Sequence, residues 1–202
     1  MALEILQVLI VLFLAVVFHE YAHGWSADRL GDPTARQAGR LTLNPIKHID
    51  PIGMIVVPLL LRVLQFPFVI GWAKPVPVNF ANLRNPRRDM ILVALAGPAT
   101  NFLIAFLLSR LLVFPLVPFV RETVTMGVLI NLIIGLFNLV PIPPLDGSRC
   151  VMGILPVSWA RIYGRLEPFG LVFLLILMNL GFLKFVWILA IILGALLGIR
   201  SM

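Results

Sequence analysis

The chain has 202 residues, of which 60% are hydrophobic and only 12% are charged, and its mean hydropathy is +1.04. Soluble domains carry about 25% charged residues, so the composition excludes an ordinary soluble protein and predicts one integral-membrane domain, residues 1–202. The net charge of +7 does not indicate a nucleic-acid partner, because the basic residues lie between apolar segments, as in cytoplasmic loops. Cys150 is the only cysteine, which excludes an internal disulfide and a cysteine-based zinc knuckle.

The first apolar segment runs from Ala2 to about Trp25 and is long enough for a membrane helix, which needs about 20 residues. A basic polar region follows, and then Ile52 to Trp72, which is apolar but interrupted by proline, arginine and glutamine. A second basic region contains PVPVN, residues 75–79, whose alternation and two prolines suit an extended edge strand. GRLTLN, residues 39–44, is a second candidate for such a strand.

Two clear spans come next, from Met90 to about Val113 and from Thr123 to about Leu145. The last apolar stretch, Pro168 to Ile199, is either one long tilted helix or a tight hairpin. The predicted fold is an all-α polytopic membrane protein with about four to six membrane helices. A small re-entrant, β-containing loop region is expected between the first two clear spans. The catalytic core is expected over about residues 3–150, followed by a C-terminal helical part over 168–200.

The first span ends in the pattern H-E-x-x-H, formed by His19, Glu20 and His23. Positions i and i+4 of a helix share one face, so the two imidazoles can reach one ion, and the glutamate lies beside them. This is the pattern of zinc hydrolases. The alternative is a pair of histidines that only pack against neighbouring helices or cap backbone groups. Polar and ionisable groups are costly in a membrane span, which favours the metal site.

A catalytic zinc takes three protein ligands and keeps one position open. The remaining histidine is His48, in a polar loop, and it is one candidate for the third ligand. Asp146 is another candidate, because it follows an apolar helix that prolines interrupt near membrane depth. An Asp-Gly pair is also an ordinary turn, so these residues alone leave the third ligand open.

Three motifs in chain order carry a resemblance to a known family: HEYAH in the first span, AGPATN in a middle one, and NLVPIPPLDG at the end of a third. Together they resemble the site-2 protease family of intramembrane zinc metalloproteases, in its compact bacterial branch without a PDZ domain. The resemblance covers roughly residues 10–150. It implies one Zn²⁺ per chain, held by His19, His23 and Asp146, with Glu20 as general base.

Two further residues lie in the matching motifs. Asn101 is a candidate donor to the tetrahedral oxyanion, because an amide can supply that hydrogen bond; a helix–helix hydrogen bond in the membrane is the alternative. Asn138 is a candidate for binding backbone groups of an unwound substrate. An edge strand over residues 75–79 or 39–44 could pair with that substrate through its main chain.

The site can form only if His19 and Asp146 lie at the same membrane depth. This requires residues 52–72 to double back or lie on the surface, and both flanking regions are basic, as in cytoplasmic loops. The chain is therefore expected in a bacterial cytoplasmic membrane, with its active site toward the cytoplasm. The expected partners are the lipid bilayer and proteins with transmembrane helices, which the enzyme would cleave. The alternatives are a membrane peptidase that acts on soluble peptides and a non-catalytic metal-binding membrane protein.

Overall fold

The computed structural model describes residues 2–66 and 71–199. Residues 67–70 of the predicted 52–72 loop, and Arg200 at the end of the predicted C-terminal part, lie outside the described residues. Nine α-helices occur in the described part: α1 (Ala2–Arg29), α2 (Thr34–Gln37), α3 (Val57–Val63), α4 (Pro86–Leu111), α5 (Pro118–Asn138), α6 (Asp146–Ile154), α7 (Val157–Gly164), α8 (Gly170–Asn179) and α9 (Phe182–Leu196).

Four helical stretches are long and apolar enough to cross a membrane, judged by length and composition: Leu6–Arg29, Pro86–Leu111, Pro118–Asn138 and Val157–Asn179. The last of these joins α7 and α8 through a 3₁₀ turn. The prediction of an all-α membrane protein with about four to six membrane helices is confirmed, with four candidate spans in the described residues. The third predicted span ends at Asn138 instead of Leu145, because the prolines that follow lack the N–H that a continuing helix needs.

The core of the bundle is built by α1, α4 and α5, with α6 against α4 and α9 against α5. Small side chains allow close approach where α4, α5 and α9 meet: Ala105, Val128 and Ala190 are all fully buried. Membrane helices pack through small residues, since lipid supplies no hydrophobic driving force between them. The last apolar stretch is not one long helix, because Gly181 takes a left-handed φ of 85° and separates α8 from α9.

The region between α1 and α4 differs from the prediction. Ile52–Val63 is a short apolar helix that begins with a π-helical turn, and its 12 residues span about 18 Å, less than the roughly 30 Å of a bilayer core. No β-strand is present within residues 2–66 and 71–199, so the expected edge strands over 75–79 and 39–44 are wrong. Within residues 74–79, the Lys74 carbonyl and the Val76 and Asn79 N–H groups bind side chains instead of a neighbouring strand, and the two prolines carry no N–H.

The two ends of this region meet. The Lys74 N–H donates to the His48 carbonyl at 2.9 Å, and the Trp72 N–H donates to the Gly53 carbonyl at 3.3 Å. Gly53 has no room for a side chain, because a Cβ there would lie 2.5 Å from the Trp72 oxygen. The chain therefore returns at residue 74 to the place from which it departed at residue 48, and both lie near the α1 end that carries the H-E-x-x-H pattern.

Candidate metal centre

Three side chains converge where α1 meets the start of α6. The Nε2 atoms of His19 and His23 are 3.0 Å apart, and Asp146 Oδ2 lies 3.0 Å from the first and 3.2 Å from the second. Both histidines are buried, and the aspartate is partly buried. These three side chains form a cluster that could hold a metal ion, and the described residues contain no second cluster of histidine, cysteine or acidic side chains of this kind. The structure thus brings together the three residues that the resemblance implied as ligands.

The donor set fits a metal ion. His23 Nδ1 lies 2.7 Å from the Val93 carbonyl, which can only accept, so this nitrogen carries the hydrogen and Nε2 presents a lone pair. His19 Nδ1 likewise faces the side-chain oxygen of Asn101 at 2.5 Å. Three lone-pair acceptors this close repel one another unless a cation lies between them. Tetrahedral zinc with bonds of 2.0–2.1 Å sets its ligands about 3.3 Å apart, close to the spacing found here.

Gly97 on α4 makes room for the two imidazoles. A Cβ at this position would lie 2.4 Å from His23 Nε2 and 2.6 Å from His19 Nε2. Any side chain would therefore occupy the space in which the ligand atoms meet. In the AGPATN motif of the middle span, Gly97 therefore allows α4 to pack closely against the histidines of α1.

Asn101, four residues after Gly97 on α4, is completely buried, and both ends of its amide are hydrogen-bonded. Its nitrogen donates to Asn131 Oδ1 at 2.9 Å and to the Ala15 carbonyl at 3.2 Å, and its oxygen accepts from His19. The Asn131 nitrogen in turn donates to the Gly127 carbonyl at 2.8 Å. This chain of hydrogen bonds leaves no Asn101 donor for an oxyanion, so that predicted role is not supported. The alternative, a hydrogen bond between membrane helices, is what the structure contains.

Asp146 owes its place to a tight turn between α5 and α6. A Cβ on Gly147 would lie 2.2 Å from the Leu139 carbonyl, so the chain can fold back over the end of α5 only with glycine there. The Ser148 hydroxyl donates to the Leu145 carbonyl at 2.6 Å and stabilises the start of α6. The Asp-Gly pair thus begins α6, and the turn before it brings the Asp146 carboxylate to the histidines.

Glu20 lies one residue after the first histidine, and its carboxylate Oε2 accepts from the Val76 main-chain N–H at 2.7 Å. Val76 belongs to the PVPVN stretch, so this stretch lies directly beside the predicted general base. Sequence reasoning did not anticipate this contact. It did not identify Asn131 either, although a lone asparagine inside an apolar span was a signal that could have indicated it.

The remaining predicted residues lie apart from the convergence point. His48 is completely buried, and its Nε2 lies 2.9 Å from the Thr42 carbonyl, so it is not part of the metal cluster. The Asn138 amide donates to the Ile134 carbonyl of its own helix at 3.0 Å, and its role in substrate binding stays a prediction. Burial and the charge of Asp146 raise the pKa of the Cys150 thiol, and Cys150 is not part of the metal cluster.

The chain is similar to several known proteins. The sequence profile of a family described as Peptidase family M50 matches residues 117–180. YwhC of Bacillus subtilis strain 168, named as a candidate zinc metalloprotease, is 38% identical over 178 residues, which is 83% of this chain and 78% of that protein. Rip2 of Mycobacterium tuberculosis H37Rv, named in the same way, is 33% identical over 166 residues. This chain spans 62% of the length of Rip2. No solved structure matches the chain.

Proposed function

The chain belongs to peptidase family M50, and on that premise we propose that it cleaves peptide bonds within or near the transmembrane helices of other membrane proteins. It is an integral membrane protein, and its chemistry is that of a zinc metalloprotease. The observation that carries the proposal is the convergence of His19, His23 and Asp146 at 3.0–3.2 Å, with both histidines on a helix long enough to cross the membrane. A site carried by a membrane span is within reach of substrates that share the bilayer.

His19, His23 and Asp146 hold the ion in this proposal. When bound, zinc would act as a Lewis acid that polarises the scissile carbonyl and lowers the pKa of a water molecule bound to it. Glu20 takes a proton from the attacking water while the water oxygen forms a bond to the carbonyl carbon. Glu20 then passes this proton to the leaving nitrogen as the C–N bond breaks, which gives one new carboxylate and one new amine. One Glu20 oxygen is held by the Val76 N–H, which leaves the other to exchange the proton.

Charge supports a cytoplasmic site in a bacterial cytoplasmic membrane. The loops flanking residues 52–72 meet near the H-E-x-x-H end of α1 and are rich in lysine and arginine, as is the connection after Asp146. The connection over residues 114–122 carries one arginine and one glutamate. Basic residues accumulate on the cytoplasmic side of membrane proteins. The transmembrane helices of substrate proteins would then be cut near their cytoplasmic ends, as in regulated intramembrane proteolysis.

The experiment that tests this function measures zinc content and cleavage together, for the protein purified in detergent. The substrates are single-span helical proteins and soluble peptides of the same sequence. We expect cleavage of the helical substrates. Glu20→Gln should keep its zinc and lose at least about a hundredfold in rate, the usual contribution of a general base. Asp146→Ala should lose both zinc and activity.

Each contrary result has a distinct meaning. If soluble peptides are cleaved and helical substrates are not, the enzyme is a surface peptidase and the proposed substrate class is wrong. If Asp146→Ala keeps full zinc and full activity, the third ligand lies elsewhere, and His48 is the next candidate. If Glu20→Gln cleaves like the wild type, Glu20 is not the base.

A further inference from the structure

We propose that the main-chain N–H of Val76 is a positioning group for Glu20, and that Arg40 holds it in place. The inference rests on the proposed function, in which Glu20 is the general base. The central observation is the 2.7 Å hydrogen bond from the Val76 N–H to Glu20 Oε2, which joins positions 56 residues apart in the chain. It assigns the PVPVN stretch a part in the catalytic machinery that differs from pairing with a substrate strand.

The packing of the Val76 side chain holds the Val76 main-chain N–H next to the Glu20 carboxylate. The side chain is 7% exposed and lies against Gly24, one helical turn after Glu20. A Cβ on Gly24 would lie 2.8 Å from Val76 Cγ1, so only glycine allows the stretch to come this close to α1. The same contact that buries the valine therefore brings its main chain within hydrogen-bond distance of the glutamate.

Arg40 holds the chain just before Val76. Its Nη2 donates to the Lys74 carbonyl at 2.8 Å and to the Pro75 carbonyl at 3.3 Å, and the side chain is only 8% exposed. A buried guanidinium is costly unless it is hydrogen-bonded. Both bonds reach the two residues that lead into the Val76 amide. The Lys74 N–H is bound to the His48 carbonyl at 2.9 Å, which fixes the stretch from its other side.

The N–H of Val76 is also irreplaceable within its stretch. Its two neighbours are Pro75 and Pro77, which have no N–H. Since the one amide hydrogen of these three residues is bound to Glu20, it is not available to an incoming substrate strand. A glutamate side chain loses conformational entropy when one rotamer is fixed. Here the hydrogen bond to Val76 fixes the rotamer before substrate binds. The base is thereby oriented before substrate binds, which is the form of preorganisation that lowers a barrier.

A proline substitution tests this directly. Val76→Pro removes the N–H while keeping an apolar side chain of similar size, and Val76→Ala trims the side chain but keeps the N–H. With the helical substrate described above, the proline variant should have a kcat about ten- to a hundredfold below that of the alanine variant, the usual effect of losing a hydrogen bond to a charged group. KM and zinc content should be equal in the two, because the lost hydrogen bond joins Val76 to Glu20 and involves none of the three proposed metal ligands. Equal kcat values for the two variants would overturn the proposal.

Arg40 provides a second test that holds even if Val76→Pro fails to fold, which thermal unfolding in detergent detects. Arg40→Met releases both carbonyls, whereas Arg40→Lys keeps a donor. We expect kcat to fall in the methionine variant and to recover in part in the lysine variant, at unchanged KM and zinc content. A methionine variant with wild-type kcat sinks the inference. The proposed function fails separately, if the wild type cleaves the soluble peptides and leaves the helical substrates intact.

Discussion

Single buried residues decide which nitrogen of His19 faces the metal. The imidazole can carry its hydrogen on either nitrogen, and only the form with hydrogen on Nδ1 presents a lone pair at Nε2. Asn101 selects this form by offering its oxygen to Nδ1. Asn131 orients Asn101 in turn, because its own oxygen accepts from the Asn101 nitrogen. Two amides from two membrane helices thus determine the chemistry of one zinc ligand.

Replacing Asn131 should therefore weaken zinc binding without touching a ligand. In Asn131→Leu the Asn101 amide can rotate and present its nitrogen to His19, which favours the tautomer that cannot bind metal. We expect the zinc dissociation constant to rise about 10- to 100-fold, as for other groups that orient a ligand. Competition with a chelator in detergent measures it. Asn179→Leu is the matched control, since that amide contacts only its own helix; equal zinc affinity in both variants would contradict the argument.

Among the elements, the turn after α1 is joined to the chain before α4 by Asp32. This carboxylate is completely buried and accepts from the Asn79 N–H at 2.7 Å, from Asn82 Nδ2 at 2.9 Å, and from both the N–H and the hydroxyl of Thr34. Burial by itself would raise the pKa of Asp32, but these hydrogen bonds lower it below its ordinary value. The ionised form of this one residue thus joins the loop after α1 to the chain before α4.

The protein should consequently lose stability in acid. A carboxyl group whose pKa is lower in the folded state stabilises the fold above its unfolded pKa, 3.8 here, and this contribution is lost as pH falls below that value. Asp32→Ala should lower the free energy of unfolding by about 2 kcal/mol or more at pH 7, since it removes hydrogen bonds to a charged group. Thermal unfolding at pH 7 and at pH 3 measures both effects.

The control for the acid effect is Asp28→Ala, which removes an ion pair with the exposed Arg36. Such surface pairs contribute about 0–1 kcal/mol. The Asp32 variant should be less sensitive to the change from pH 7 to pH 3 than the wild type and the Asp28 variant. If all three lose the same stability in acid, Asp32 is not the group responsible.

For the whole molecule, the decisive feature is that the chain departs and returns at one level between α1 and α4. The hydrogen bond from Lys74 to His48 requires both residues to lie on the same side of any membrane. This arrangement allows the ends of α1 and α5 to share one depth, so that His19 and Asp146 can meet. A single crossing by residues 52–72 would separate them by the thickness of the bilayer.

Labelling of single cysteines in a Cys150→Ser background tests this arrangement in membranes. Cysteines at Lys47 and Lys74, both exposed, should react with an impermeant reagent from the same side, which we propose to be the cytoplasm. A cysteine at Arg121, at the other end of α5, should react from the opposite side and is the internal control. Labelling of Lys47 and Lys74 from opposite sides would contradict both the topology and the metal site.

The local pattern of the sequence was enough to predict an integral membrane protein and the two histidines of the site, His19 and His23. A 3.6-residue period places His19 and His23 on one helix face wherever the helix lies. Apolar spans of about 20 residues can be identified from the local sequence, without knowing which helices pack against them. Asp146 followed from a match to a family motif. The residue alone left open an ordinary turn, whereas in the structure Asp146 is the first residue of α6.

The remaining features depend on contacts between residues distant in the chain. His19 and Asn101 are 82 positions apart, and Glu20 and Val76 are 56 apart. No local period encodes such pairs, so Asn101 was assigned to the oxyanion instead of to His19. The edge-strand prediction failed for the same reason: PVPVN has the alternation of a strand, but tertiary packing places the Val76 N–H against Glu20 and the Asn79 N–H against Asp32. Composition and spacing determine which segments can enter the membrane and which side chains can bind metal. The fold decides which polar groups form hydrogen bonds with each other.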